Sequence, residues 1–379
     1  MSKVADKKVY RLKQHSLAKI SCYRNYVDIY LSVLANSPFE KLYLLDLFAG
    51  EGKDIDGNLC SSISGAEALK RHFTHCPEDR KKIVFFLNDP GNSVIEKGLK
   101  KIDRVKKFID ELQLPENVTV KYSSENFEDI IDGVVKRLSQ LNSRERALCF
   151  IDPFGYKYSK PEKIRDLLAN GKTELLLFMP ICFMHRFTAK AMKDEDYTEG
   201  RHIEEFVSIL FEKQIPDIHN QVAFIKGIQK QFKTYLGIPF VDIMYIEKEK
   251  SQFFALFFFS NNKKGFQKML EAKWAIDDQN GHGFTVNKAA ITNTLFDNID
   301  HEDYTYQLYE EIRKKEVLSN QEIFDFGLNN NHLPKHTKKV LDELKRDGKI
   351  IISTSNGEAA LGYYLEDNHN KKIIVSLKK

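Results

Sequence analysis

Five short apolar runs separated by helix-spaced stretches constrain the possible folds of this chain more than any other feature. The runs are KLYLLDLF (41–48), KIVFFLND (82–89), VTVKYS (118–123), ALCFIDPF (147–154) and TELLLFMP (173–180). Strands so poor in interior polar residues are buried on both faces, the situation of a parallel sheet covered by helices. The covering helices are expected near 93–112, over 125–141 and over 160–170. Ahead of the first run, residues 15–36 place Leu17, Ile20, Tyr23, Val27, Tyr30, Leu31 and Leu34 at three- and four-residue spacing, an amphipathic helix. The first half of the chain is therefore expected to be doubly wound α/β.

Between about 186 and 236 the pattern is helical and charged, an insert. VDIMYIEKEKSQFFALFFFS (241–260) then gives two strands around the turn EKEKS, a β-hairpin, and 262–277 a helix. Five parallel strands closed by an antiparallel hairpin make the Rossmann-like sheet of class I methyltransferases, whereas a dinucleotide-binding fold continues with a parallel sixth strand. From about 300 three short helices precede the segments KIIIST, GYYL and KKIIVSLKK, the order of a winged helix. A length of 379 residues accommodates both parts, a methyltransferase-like domain over 1–298 and a winged-helix domain over 299–379.

Composition narrows the classes. No apolar run approaches the roughly 18 residues of a membrane-spanning helix. The basic N-terminus leads into an apolar stretch interrupted by Tyr, Arg and Asp, which is no secretory signal. Cys22, Cys60, Cys76, Cys149 and Cys182 form no CxxC pair and have no histidine at ligand spacing. Reduced thiols in a cytoplasmic protein are expected, and no metal site. A net charge of +4 permits a phosphate-bearing partner without requiring one.

The strongest chemical signal is LDLFAGEGKD (45–54). Asp46 ends the strand, Phe48 follows, and Gly50 and Gly52 let backbone pass close to a ligand at the carboxyl edge of the sheet, or else only shape a tight turn. A dinucleotide loop has a third glycine where Ile55 stands, which weakens a nicotinamide-dependent oxidoreductase reading. An acidic strand end followed by Phe-x-Gly-x-Gly instead suits S-adenosylmethionine, whose sulfonium and amino group match a carboxylate and backbone carbonyls. Asp89 ends the second strand and is a candidate for the ribose hydroxyls, or a turn-former ahead of Pro90. Ser124, Glu125 and Asn126 follow the third strand where the adenine amino group is read, unless Ser124 caps the helix beginning at Phe127.

FIDPFGYK (150–157) closes the fourth strand. Amino-group methyltransferases carry a (D/N)PP(Y/F) loop there, whose side-chain oxygen and backbone carbonyl accept hydrogen bonds from the target NH2 while the aromatic ring stacks on the base. Asp152, Pro153 and Phe154 or Tyr156 are the candidates, although the order is DPFG without the second proline. The same loop resembles that of the tRNA guanine-N2 dimethyltransferases, and it also reads as a plain strand-to-loop turn. Cytosine-C5 chemistry needs a Pro-Cys pair at this loop, and the chain has none. In the tail, Lys335, His336, Lys338 and Lys339 put positive charge on the third helix. Such a helix can lie in a major groove with its lysines on phosphates. Asp342, Glu343 and Asp347 dilute that charge and leave a protein contact open.

LDLFAGEGK, SISGAEAL, LNDP, FIDPFGYK and the hairpin followed by KKGFQKML, in this order over roughly 15–290, resemble the bacterial three-Cys-motif partner (TcmP) family. The winged-helix tail resembles that of some members. The resemblance implies a methyltransferase-like partner of a three-cysteine-motif protein of iron–sulfur or radical type. Two functions are thus expected: an S-adenosylmethionine-dependent N-methyltransferase acting on a base amino group of DNA or RNA, or a non-catalytic assembly module for that partner.

Overall fold

The computed structural model describes residues 10–153, 155–182, 201–211, 221–249, 252–277, 283–285, 301–360 and 362–378. They fall into two compact units, Met1–Ala272 with Gly283–Val286 and Lys273–His282 with Asn287–Lys379.

The first unit is an α/β sheet. Its opening elements are α1 (Gln14–Ala35), β1 (Lys41–Asp46), α2 (Ser61–His75), β2 (Lys82–Asn88), α3 (Lys101–Leu112), β3 (Val118–Ser123) and α4 (Phe127–Ser139). They are followed by β4 (Glu145–Ile151), α5 (Pro161–Leu168), β5 (Thr173–Met179), α6 (Arg201–Phe211), α7 (Gln221–Leu236), β6 (Phe240–Glu249), β7 (Gln252–Ser260), α8 (Lys263–Trp274), whose last two residues belong to the second unit, and β8 (Gly283–Thr285). The sheet order is β3-β2-β1-β4-β5-β7-β6-β8. Strands β1 to β5 run parallel, and β7 is antiparallel to both β5 and β6. This is the class I methyltransferase sheet. The short β8, parallel to β6, extends it by a strand that periodicity does not reveal.

Burial explains the pattern. Central β1, β4 and β5 are covered on both faces, whereas edge strand β3 alternates exposed and half-buried positions, as VTVKYS does in sequence. Several bounds move inward, and two of these shifts shape the surroundings of the strand ends. β4 ends at Ile151, so Asp152 and Pro153 stand in the loop. α3 begins only at Lys101, because the preceding backbone is held by side chains: Ser93 Oγ accepts from the amides of Ile95 and Glu96. α1 buries its apolar stripe together with Lys19 and Tyr26, a polar addition to that face.

The second unit contains α9 (His301–Lys315), β9 (Val317–Ser319), α10 (Asn320–Asn329), α11 (Pro334–Arg346), β10 (Ile350–Thr354) and β11 (Ile373–Leu377). Its antiparallel sheet has the order β10-β11-β9. Ser319 and Glu322 form a capping box that starts α10, and Pro334 opens α11, where its missing N–H costs nothing. The strand expected at GYYL is not formed. Tyr363 and Leu365 are buried there, and the Tyr363 hydroxyl donates to Asp342 Oδ1 at 2.7 Å. The third strand is instead β9, three residues between the first two helices. No helix among the described residues is long and apolar enough to cross a membrane.

Candidate functional site

Strand register brings three carboxylates to one edge. Asp46 pairs across to Leu87 on β2 and to Phe150 on β4. Asp89 and Asp152 each stand two residues beyond those partners, just past the strand ends. All three lie at the carboxyl edge of the sheet, where open α/β sheets take ligands.

Asp46 is fully buried, and its Oδ1 accepts from the Phe48 amide at 3.2 Å. Its Oδ2 is buried with no hydrogen-bond partner among the described residues. Burial pushes this carboxyl up to about 7, against the lowering influence of the nearby Ser61 hydroxyl and the Phe48 amide and with help from the charges of Asp152 and Asp89.

The glycine loop is shaped chiefly by its own neighbours. Gly50 and Gly52 have φ of +69° and +82°. A Cβ at Gly52 would come within 2.7 Å of the Phe108 ring from α3, so this glycine admits a packing contact. At Gly50 a Cβ would meet Cys60 at 3.5 Å and the Tyr10 hydroxyl at 3.9 Å, both ordinary contacts, and the left-handed backbone alone favours glycine. The Gly50 amide donates to Asp89 Oδ2 at 3.0 Å, and the Gly91 amide to Asp89 Oδ1 at 2.8 Å. Lys101 Nζ stands 3.4 Å from the same Oδ1. Asp89 therefore ties the loops after β1 and β2 together. Between the glycines Glu51 is buried, accepting from Ser93 Oγ at 2.7 Å, the Val94 amide at 2.7 Å and Arg104 Nη1 at 2.8 Å.

Phe48 stacks on Phe127 at 5.4 Å, and Tyr158 tilts against both. Glu125 and Asn126 are exposed. The Glu125 backbone is fixed by the Asn88 side chain, which donates to its carbonyl at 3.1 Å and accepts from its amide at 3.2 Å. Asn126, not Ser124, occupies the N-cap position of α4, and its Nδ2 donates to Asp129 Oδ2 at 3.0 Å. Ser124 Oγ accepts from Lys100 Nζ at 2.7 Å instead.

Asp152 Oδ2 accepts from the buried ammonium of Lys19, on α1. That ammonium also lies over the Phe178 ring, 4.1 Å from its centroid, a cation–π contact. Phe178 stacks on Phe254 at 5.3 Å, and Phe254 on His15 at 5.1 Å. Pro153 follows, buried; Phe154 and the Tyr156 side chain lie outside the described residues. The chain ahead of α1 is pinned to the glycine loop. The Ile55 amide donates to the Tyr10 carbonyl at 3.3 Å and the Leu12 amide to Asp54 Oδ2 at 2.9 Å. Burial, then Cys60, Glu51 and Asp152, push the Tyr10 phenol well above its ordinary value.

Lys19, Tyr10 and Glu51 escape a reading by motif. For Lys19 one signal was present, a lysine four residues before Tyr23 on an otherwise apolar helix face. Among the described residues no group of three His, Cys, Asp or Glu side chains could hold a metal ion.

On the winged helix, Lys335, Lys338 and Lys339 are exposed along α11, with Lys338 Nζ 5.1 Å from the Tyr363 ring centroid. His336 turns inward. Its ring centroid is 3.9 Å from that of Trp274, and its Nδ1 accepts from the Leu333 amide at 3.3 Å.

Residues 283–357 match the family model of the GMT-like wHTH domain. Among solved structures the chain is similar to protein LPL1258 from Legionella pneumophila str. Philadelphia 1, of family model DUF519, at a TM-score of 0.38 and 12% identity. That similarity covers 71% of this chain and 94% of the other. No curated protein matches the chain.

Proposed function

We propose that this chain is an S-adenosylmethionine-dependent N-methyltransferase acting on an exocyclic amino group of a nucleic-acid base. The winged helix would supply affinity for nucleic acid. The observation that carries the reading is Asp46 Oδ2, a buried acceptor with no partner among the described residues at the edge where such sheets bind ligands. Buried polar groups are rarely left unpaired, and a ligand ammonium is the donor that would satisfy both the oxygen and the charge.

S-adenosylmethionine, when bound, supplies a methyl group activated by a sulfonium. Asp46 would hold its amino group. Asp89 Oδ2, with a second lone pair beyond its bond to the Gly50 amide, retains capacity for a ribose hydroxyl. Phe48 and Phe127 present an apolar wall beside the short connection Ser124, Glu125 and Asn126.

Asp152 is the positioning group for the target. Its carboxylate accepts an N–H of the amino group and turns the nitrogen lone pair toward the methyl donor. Lys19 holds that carboxylate in one place. The rate gain is then mostly placement, with modest acid–base help. The test is a methyl-transfer assay with labelled donor on total DNA and total RNA, paired with calorimetry of donor binding. Transfer to neither polymer by a protein that binds the donor would leave binding without catalysis.

A further inference from the structure

The opposite, amino-terminal edge of the same sheet holds a cavity of about 280 Å³ that the proposed chemistry does not use. It lies where β4 and β5 begin and β7 ends. We propose that it is a second ligand site, taking a guanine nucleotide such as a nucleoside monophosphate, with the base inside and the phosphate at the mouth.

The floor is Glu174, whose Oε1 accepts from Ser260 Oγ at 2.8 Å and whose Oε2 accepts from the Tyr26 hydroxyl. The place is built for this carboxyl: a Cβ on Gly265 would fall 1.9 Å from Oε1, so only glycine lets α8 close over it. A carboxylate offers about four acceptor positions and two are taken, so Glu174 can receive two more donors. Beside it the Tyr30 hydroxyl is buried with no hydrogen-bond partner among the described residues, and the same side chain lines the cavity. Burial of Glu174 pushes its carboxyl up to about 7 despite both hydroxyl donors and the charge of Arg146.

The walls and rim decide the ligand class. Tyr26, Tyr30 and Phe39 contribute rings, and Arg146 lies 3.8 Å above the Phe39 ring. Lys172, Lys264 and Lys268 also line the cavity; Lys172 donates to the Leu141 carbonyl and Lys268 pairs with Glu271. Lys264 is exposed and has no ion-pair partner among the described residues. A wholly apolar ligand would strand Glu174 and Tyr30. A polyamine would meet four cations at the mouth. A bare phosphate would satisfy the lysines and leave the floor unread. Guanine presents adjacent N1–H and N2–H donors to one carboxylate and an O6 acceptor to a hydroxyl, while its phosphate meets the lysines. The volume lies just below that of small-molecule pockets, which start at about 300 Å³, so base and sugar fill it.

Calorimetry on the full chain with GMP, guanosine, CMP and inorganic phosphate tests this. GMP should bind one-to-one, guanosine more weakly, and neither CMP nor phosphate measurably. Tyr30→Phe removes one hydroxyl and should weaken GMP roughly fivefold, the value of one neutral hydrogen bond. It should not lower Tm, because that hydroxyl has no hydrogen-bond partner among the described residues to lose. Lys264→Glu should weaken GMP and leave guanosine unchanged. Excess S-adenosylmethionine should not displace GMP. The proposal is overturned if GMP gives no binding at millimolar concentration. It also falls if both variants bind GMP as the parent does, or if S-adenosylmethionine competes, since the nucleotide then sits at the carboxyl edge.

Discussion

The carboxyl edge of the sheet and helix α11 both carry charged candidate residues, and they hold them in opposite ways. At the sheet edge Asp46, Asp89 and Lys19 are buried, Asp89 is bound to the loop after β1, and Asp152 is tied to Lys19. On α11 Lys335, Lys338 and Lys339 stand exposed. The first arrangement concentrates energy in few contacts, since a buried group left unpaired costs far more than an exposed one. The second spreads it over contacts with phosphate that are individually weak and salt-sensitive. Substitutions should therefore act steeply at the sheet edge and gradually on the helix.

The steepest effect is expected at Asp152. Asp152→Ala should leave donor affinity within a few-fold and cut methyl transfer on the order of a hundredfold or more. Radiolabel transfer measured beside calorimetry separates the two quantities. Parental rates in the variant would make Asp152 a structural partner of Lys19 and nothing else.

Next comes Asp46, where binding and stability should move in opposite directions. Its folded value, about 7, lies above the ordinary 3.8, so the native state favours the neutral form. The stability linked to it is fully present below about 4 and is lost as pH rises through about 7. Asp46→Asn should flatten that part of the pH profile and make the protein more stable than the parent at pH 8. It should also weaken S-adenosylmethionine on the order of ten- to a hundredfold, the worth of a charge-assisted bond. In the parent, donor affinity should rise with pH up to about 7 as the carboxylate forms. Thermal melts and calorimetry from pH 4 to 8 read both. Donor affinity that is flat with pH in the parent would remove Asp46 from the ammonium site.

A smaller and more graded change is expected on α11. Lys338→Glu with Lys339→Glu should weaken duplex DNA binding most at low salt. The log–log salt dependence should flatten by roughly two units if each lysine meets a phosphate. A filter-binding series over salt measures the slope. An unchanged slope would favour a protein contact for this face.

The least effect on binding is expected at His336, although it stands between the lysines in sequence. His336→Ala should leave duplex affinity unchanged and lower the Tm of the winged-helix unit by a few degrees, because it removes the packing on Trp274. A loss of affinity with unchanged Tm would return His336 to the nucleic-acid face.

This contrast also marks what can be read without coordinates. Strands β1 to β5, the hairpin and the three helices of the tail follow from local periodicity, which reports the face each residue presents to its own element. The position of Asp46, Asp89 and Asp152 at strand ends is likewise legible, because a polar residue closing an apolar run marks the sheet edge. The miss at GYYL has the same root. Tyr363 and Leu365 are buried at period two, as in a strand, yet Tyr363 is held by Asp342 of a helix and not by a ladder.

The amino-acid sequence by itself thus determined the α/β sheet, the order of its elements and the loop that carries the glycines, since these depend on neighbours within a few residues. Tertiary structure alone decided the partners. Lys19 meets Asp152 across 133 residues, Tyr26 meets Glu174 across 148, and Arg104 meets Glu51 across 53. A hydrophobic pattern records that a face is buried and carries no record of what it is buried against. The chemistry of both sheet edges rests on that second kind of fact.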